Sequence, residues 1–332
     1  QKIFQGFKGY NALKKSELEL KKANFKLKQV EQQTILETVS AYFDFIFKTK
    51  NKEFNLSNVN LFERQVEFDG ARLQKGEITL TDLAQSESSL AGANANLINA
   101  ETELLASKIN FERVIRKEAP SSLNGNEKVE VELPSTLKEA IDIAKFNNSE
   151  LLISKLNYEI AEKDLNIEKA RLSPSASIKY SRSENKNFST SVDDADEETV
   201  KATITWPIIK GGENISSIKK SSLIKEKTFL LAQDTENKLI TDTTNAWSKY
   251  KSSGSVLIAT EAQLKAAEIA NEGITLEYDT GNTRTTLEVI QSRSLLLESR
   301  IAFAKAERDF VISKFQLAFQ LGTLSLSSIN EL

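Results

Sequence analysis

Lys75–Glu101 reads KGEITLTDLAQSESSLAGANANLINAE, and Thr280–Glu307 reads TGNTRTTLEVIQSRSLLLESRIAFAKAE. Each stretch has a glycine as its second residue, Gly76 or Gly281, and passes hydroxyl-rich, acidic residues before settling into a heptad. Leu83, Leu90, Leu97, Leu104 and Phe111 recur every seven residues in the first; Val289, Leu296, Phe303, Phe310 and Leu317 do so in the second. A sustained seven-residue apolar repeat predicts helices packed along their length, as in a coiled coil. The heptads alone fit an ordinary helical bundle equally well.

The likeness extends outward from these turns. IFQGFKGYNALKKSELELKK (Ile3–Lys22) parallels IIKGGENISSIKKSSLIKEK (Ile208–Lys227), with Gly6 matching Gly211 at an offset of 205. The offset becomes 206 after the second glycine turn, where Gln85 and Ser86 match Gln291 and Ser292. So long a register indicates duplication. Residues 1–117 form the first repeat: the end of a β-strand, a long helix, a turn near Gly76 and a return helix. Its N-terminal part is expected to be missing. Residues 118–134 read as a linker. The second repeat, 135–332, has helices over 135–171, a β-hairpin over 174–208 and a long helix over 213–276. A turn near Gly281 and a return helix over 286–321 complete it. The first long helix, about Gly9 to Leu73, would span roughly 95 Å at 1.5 Å per residue. Thr81 or Asp82 is the expected cap of the first return helix. That helix is rich in small residues, among them Ala91, Gly92, Ala93 and Ala95, which let neighbours approach closely.

Strand character is confined to one region. PSASIKYSRS (Pro174–Ser183) and TVKATITWPI (Thr199–Ile208) alternate apolar with small polar or cationic residues. Ile178, Tyr180, Val200, Ile204 and Trp206 fall on one face. Runs of about ten residues with this alternation match strands that cross a bilayer at a tilt, with Tyr180 and Trp206 suited to an interface belt. The acidic segment SENKNFSTSVDDADEE between them reads as a long polar loop. Period two also fits a solvent-facing hairpin on a soluble sheet. In lipid, one hairpin would leave open edges, so a membrane reading requires several chains to close a barrel.

Composition narrows the chemistry. The 332 residues contain no Cys, no His and no Met, which excludes thiol and imidazole catalysis and the usual zinc sites. No cofactor is expected. Carboxylate catalysis stays open by residue type, but no acid/base constellation supports it. With 44 Lys plus Arg against 47 Asp plus Glu, a nucleic-acid partner is not expected. Only 4 Pro and 12 Gly suit long uninterrupted helices. No apolar run is long enough for a transmembrane helix.

Taken together, the strand-to-helix junctions QKIFQGFKGYNALKKSELELK and WPIIKGGENISSIKK, the hairpin ARLQKGEITLTDLAQSESSLAGANANLINAE, the segment ARLSPSASIKY and the closing run from Glu277 to Ser325 resemble the TolC-like outer membrane efflux proteins. The resemblance covers nearly the whole chain. It implies a mainly α fold with a β-barrel part: long antiparallel helical hairpins forming a periplasmic tunnel beneath a trimeric twelve-stranded outer-membrane barrel. It also implies a passive exit duct for efflux or type I secretion. The expected partners are two further copies, a periplasmic adaptor (membrane fusion) protein, an inner-membrane pump and outer membrane lipid. By position, Thr81, Asp82, Tyr278 and Arg284 match the family's gate at the hairpin tips, with Asp82 expected to pair with Arg284. Glu288 matches one acidic ring of the pore constriction, while Gln291 stands where the family often has Asp. A soluble periplasmic coiled-coil or adaptor protein is the alternative; adaptors carry one hairpin, whereas this chain has two and a strand pair.

Overall fold

The computed structural model describes residues 1–120, 131–189, 191–281 and 284–326. In chain order they form β1 (Lys2–Gln5), α1 (Lys8–Gln74), α2 (Leu80–Ile115), α3 (Leu137–Asn147), α4 (Ser149–Lys169) with a 3-10 turn at Ala170–Leu172, β2 (Ser175–Ser189), β3 (Val192–Thr205), α5 (Glu213–Gly281) and α6 (Thr286–Leu321). The two long helices contain 67 and 69 residues. No described helix is long and apolar enough to cross a membrane. The chain divides into two compact units, residues 1–30 with 145–240, and residues 31–144 with 241–332.

The first unit carries an antiparallel sheet in the order β1-β2-β3. Ala176 lies opposite Ile204, Ile178 opposite Ala202 and Tyr180 opposite Val200. Directly opposed residues share a face, so the apolar positions line one side. Ile178, Tyr180, Val200 and Ile204 are all exposed there. Both strands lie within the expected hairpin, 174–208, but run further toward its turn than the two ten-residue segments expected. The segment read as a long acidic loop is ladder: Arg182 opposes Glu198, Glu184 opposes Asp196, and pairing continues to Ser189 and Val192. Here both faces are polar, so the period-two signal fades although backbone pairing does not. At the other end β3 stops at Thr205, before Pro207, which has no N–H to donate. Trp206 therefore lies just past the strand, and its indole N–H donates to the Leu172 carbonyl at 3.1 Å.

Gly6 joins β1 to α1 with φ +57°, a left-handed conformation. A Cβ there would also collide with Ser173. Gly211, its partner in the sequence repeat, has φ +50° at the β3–α5 junction. Asn148 caps α4 by accepting from the Leu151 N–H, and Leu151, Leu156, Ala161 and Leu165 form the buried stripe of that helix. Lys15 on α1 pairs with Asp164 at 2.8 Å, and Lys145 with Glu236 on α5 at 2.9 Å.

The second unit is held by an aromatic core. Ile35, Val39, Tyr42, Phe43, Phe45 and Ile46 of α1 pack with Phe111 of α2 and with Phe315 and Ala318 of α6. Nearer the turns a smaller cluster joins Val59, Phe62, Ala93 and Ile290. In α2 the innermost heptad is not the leucine series. It is Ser86, Ala93, Ala100 and Ser107, all buried, while Leu83, Leu90, Leu97 and Leu104 are half-buried beside it. In α6 the buried set includes Ser292, Ser299, Ala306 and Ser313, which stand 206 residues further on in each case. Small side chains let backbones approach closely, and the larger apolar residues flank that seam.

Candidate functional site

The turn-proximal ends of α1, α2, α5 and α6 hold the chemistry-bearing residues, and each end is built by local rules. The helix α1 ends in a Schellman motif. Gly76 has φ +74°, its N–H donates to Leu73 O at 2.9 Å, and the Glu77 N–H donates to Arg72 O at 3.0 Å. The next helix starts one turn earlier than a cap at Asp82 would allow. Thr79, not Thr81 or Asp82, is the cap residue of α2. Its hydroxyl accepts from the Asp82 N–H, and the Asp82 carboxylate accepts from the Thr79 N–H at 2.9 Å and the Thr79 hydroxyl at 2.8 Å. This reciprocal box satisfies two backbone donors that the helix itself leaves open. Thr81 is exposed in the first turn.

The same device recurs 206 residues on. Thr285 caps α6, its hydroxyl accepts from the Glu288 N–H, and Glu288 accepts from the Thr285 N–H at 2.8 Å. Arg284 adds a charge. Its Nε donates to Glu277 at 2.6 Å and its Nη1 to Glu288 at 3.0 Å. The bonds from the Thr79 backbone and hydroxyl lower the Asp82 pKa. The Thr285 backbone bond, then Arg284, lowers that of Glu288. Within the chain, then, Asp82 bonds Thr79 while Arg284 bonds Glu277 and Glu288. The expected Asp82–Arg284 pair is not formed within one chain. Glu288 and Gln291 stand nearly one turn apart on α6, and Gln291 is exposed. The structure brings α5 as far as Gly281; residues 282 and 283 of that turn lie outside the described residues.

Of the four residues expected at the hairpin tips, Tyr278 has the most partners. It is buried, and its phenol donates to Asp69 Oδ1 at 2.8 Å and bonds the Thr286 hydroxyl at 3.0 Å. Gln65 donates to Asp69 Oδ1 at 3.0 Å and to the phenol at 3.4 Å. Ser86 donates to Asp69 Oδ2 at 2.5 Å. One carboxylate on α1 thus gathers hydroxyls from α2 and α5, and the phenol links on to α6. Burial raises the Tyr278 pKa, so the phenol stays protonated and donates. The Arg72 guanidinium lies over the Tyr278 ring at 5.0 Å and the Phe68 ring at 5.7 Å, and its Nε pairs with Glu77 at 3.1 Å. Asp69, Gln65, Arg72, Ser86 and Thr286 are the residues that motif reading missed. A signal existed. Asn55, Asn58, Phe62, Gln65, Asp69 and Arg72 step by three and four along the buried stripe of α1, so the stripe becomes polar toward the turn.

The profile of the family described as Outer membrane efflux protein matches residues 1–115 and 140–323. The chain belongs to the outer membrane efflux protein family. The efflux protein BepC of Brucella suis is 24% identical over 334 residues, a span of 99% of this chain and 72% of BepC. TolC of Vibrio cholerae is 23% identical over 325 residues, 95% of this chain and 73% of its own. Among solved structures, VceC from Vibrio cholerae matches with a TM-score of 0.80 at 17% identity, over 97% of this chain and 77% of its own. Long antiparallel helical hairpins joined to membrane strands are the fold of this efflux family. As a member, the chain is an outer membrane transport protein and not an enzyme.

Proposed function

We propose that the chain is one third of a homotrimeric exit duct, with its strands contributed to a shared barrel and its helices to a tunnel on the periplasmic side. The observation that carries this reading is the sheet. Its apolar face is exposed, and β1 and β3 are open edges among the described residues. Open edges are not viable in lipid, and pairing with further strands from symmetric copies closes them. Ile178, Tyr180, Val200, Ile204 and Trp206 then face lipid, and the opposite polar face lines the lumen.

The chain is two copies of one unit, 1–117 and 135–332 joined by 118–134. The shared Gly6 and Gly211 geometry, the paired capping boxes and the matching small-residue heptads support this. Three chains then present six hairpin ends in a ring, which serves as the gate and as the docking site for an adaptor and pump. Thr81, Asp82, Tyr278 and Arg284 belong to the gate, and Glu288 with Gln291 to the narrowest level. Asp82 meets Arg284 only between neighbouring chains in this arrangement. Small molecules or proteins pass through without chemistry at the duct itself.

Single-channel current across a planar lipid bilayer tests the reading. The intact protein should give small, steady openings, and Tyr278→Phe or Arg284→Ala should enlarge them. Folded, inserted protein that carries no current would overturn the duct.

A further inference from the structure

Lys179 and Lys201 lie directly opposite each other in the β2–β3 ladder. Like charges in opposed positions destabilise a sheet, and nearby carboxylates normally offset them. Here none does. Their neighbours on the same face are Ser177 opposite Thr203 on one side and Ser181 opposite Thr199 on the other. The first carboxylate along that face is Glu197, four residues from Lys201, or about 13 Å at strand rise, and it accepts from Thr199. Lys2 of β1, opposite Ser177, adds a third cation on a diagonal to Lys179. No ion pair involves these three lysines among the described residues. The opposite face is treated differently, since Arg182 is matched there by Glu184 at 2.6 Å and Glu198 at 3.8 Å.

We propose that Lys2, Lys179 and Lys201 form a cationic belt on the lumen wall of the barrel, which concentrates anionic solutes and sets the charge preference of the exit. The inference rests on the duct reading, which makes the polar face the lumen and supplies three copies of the cluster. The apolar face cannot be the lumen side, because Ile178, Tyr180, Val200 and Ile204 occupy it. Uncompensated ammonium groups at one level of a water-filled channel raise the local concentration of anions and lower that of cations. Anionic groups of cargo would meet this belt on entering the barrel, before Glu197 further along the same face. The favoured cargo class is therefore acidic: phosphorylated, sulfated or carboxylate-bearing solutes.

The test is the reversal potential of the intact protein in a planar bilayer, with about 0.01 M KCl facing about 0.1 M, where the Debye length is roughly 30 to 10 Å. Lys179→Gln/Lys201→Gln should lower the chloride-to-potassium permeability ratio about sevenfold, the change expected from removing a local potential on the order of kT that acts in opposite senses on anion and cation. Lys179→Glu/Lys201→Glu should lower it further, and Arg182→Gln on the outward face should leave it unchanged. Inorganic tripolyphosphate provides a readout in the unaltered channel: it should block current briefly, with block lost in the glutamine variant. Open pores whose permeability ratio and tripolyphosphate response ignore both lysines would overturn the belt and keep the duct. Absence of pores from inserted wild-type protein would remove both. Should the double variants not insert, failure of tripolyphosphate to block the wild-type pore is sufficient to reject the belt.

Discussion

The Tyr278 phenol on α5 donates to the Asp69 carboxylate on α1 at 2.8 Å, across 209 residues of chain, in a site closed to water. Removing one partner leaves the other buried with a bond unmade, which costs about 1–3 kcal/mol. Tyr278→Phe should therefore destabilise the turn-proximal ends by about that amount. Hydrogen exchange of amides in the last turns of α1 and α5 checks it: they should exchange faster, while amides around Phe43 and Phe315 stay protected.

A double-mutant cycle separates this bond from its neighbours. Asp69→Asn keeps the shape of the side chain and an acceptor oxygen, but it weakens the charge-assisted bonds from Tyr278, Gln65 and Ser86. If the network acts as a unit, Asp69→Asn with Tyr278→Phe should cost less than the two singles added, by about 1 kcal/mol. Simple additivity in thermal or denaturant unfolding would show the bonds to be independent.

The two capping boxes make an acid-sensitive contribution whose sign follows from their lowered carboxylate pKa values. A carboxylate whose folded pKa lies below its unfolded value stabilises the fold above the unfolded value. That contribution is lost as pH falls through the folded value. The unfolded references are 3.8 for Asp82 and 4.5 for Glu288. The stability gap between the intact protein and Glu288→Gln should thus be present at neutral pH and shrink as pH falls below about 4.5. Unfolding midpoints measured at several pH values give the gap directly, and a gap independent of pH would contradict the assignment.

Two glycines share a left-handed backbone but not a setting. Gly76→Ala meets no atom within 4 Å at φ +74°, so it should cost only the backbone term of about 1 kcal/mol. Gly6→Ala adds the collision with Ser173, and overpacking adds about 1–3 kcal/mol more. Comparing unfolding midpoints, Gly6→Ala should be the more damaging of the two.

The small-residue seam is testable in the same way. Ala100 and Ser299 are buried on α2 and α6, at 3% and 0% exposure. Leucine at fully buried Ser299 needs room that a close-packed helix pair lacks, and should cost about 1–3 kcal/mol or more, whereas Ala100 borders a cavity and should tolerate leucine better. Leucine at exposed Ser88 should have little effect.

Helix extents were legible because apolar periodicity and glycine punctuation run the full length of this chain. The expected helix from Gly9 to Leu73 is observed from Lys8 to Gln74. The strands were legible only where their two faces differ. From Arg182 outward both faces are polar, so the pattern could not distinguish ladder from loop, and that stretch pairs as strand. The heptad was read from its leucines, yet in α2 the innermost positions belong to serine and alanine, which a hydrophobicity pattern overlooks, whereas in α6 Val289, Leu296 and Leu317 of the expected heptad are buried beside the small residues. At the turns, motif matching located Tyr278 but not Asp69. The polar change in the stripe from Phe62 to Gln65, Asp69 and Arg72 was present in the sequence, but a buried carboxylate is recognised only once its three donors are seen around it.

The 15 residues of β2 reach about 50 Å at 3.3 Å per residue, and a tilt near 40° leaves roughly 38 Å along the membrane normal. An apolar band about 25 Å tall leaves ribbon standing roughly 13 Å proud of the lipid. In the duct reading that ribbon is the portion of the molecule an antibody or a bacteriophage can touch on an intact cell. An epitope spliced between β2 and β3 would then report surface delivery of the protein without disturbing the helices far below.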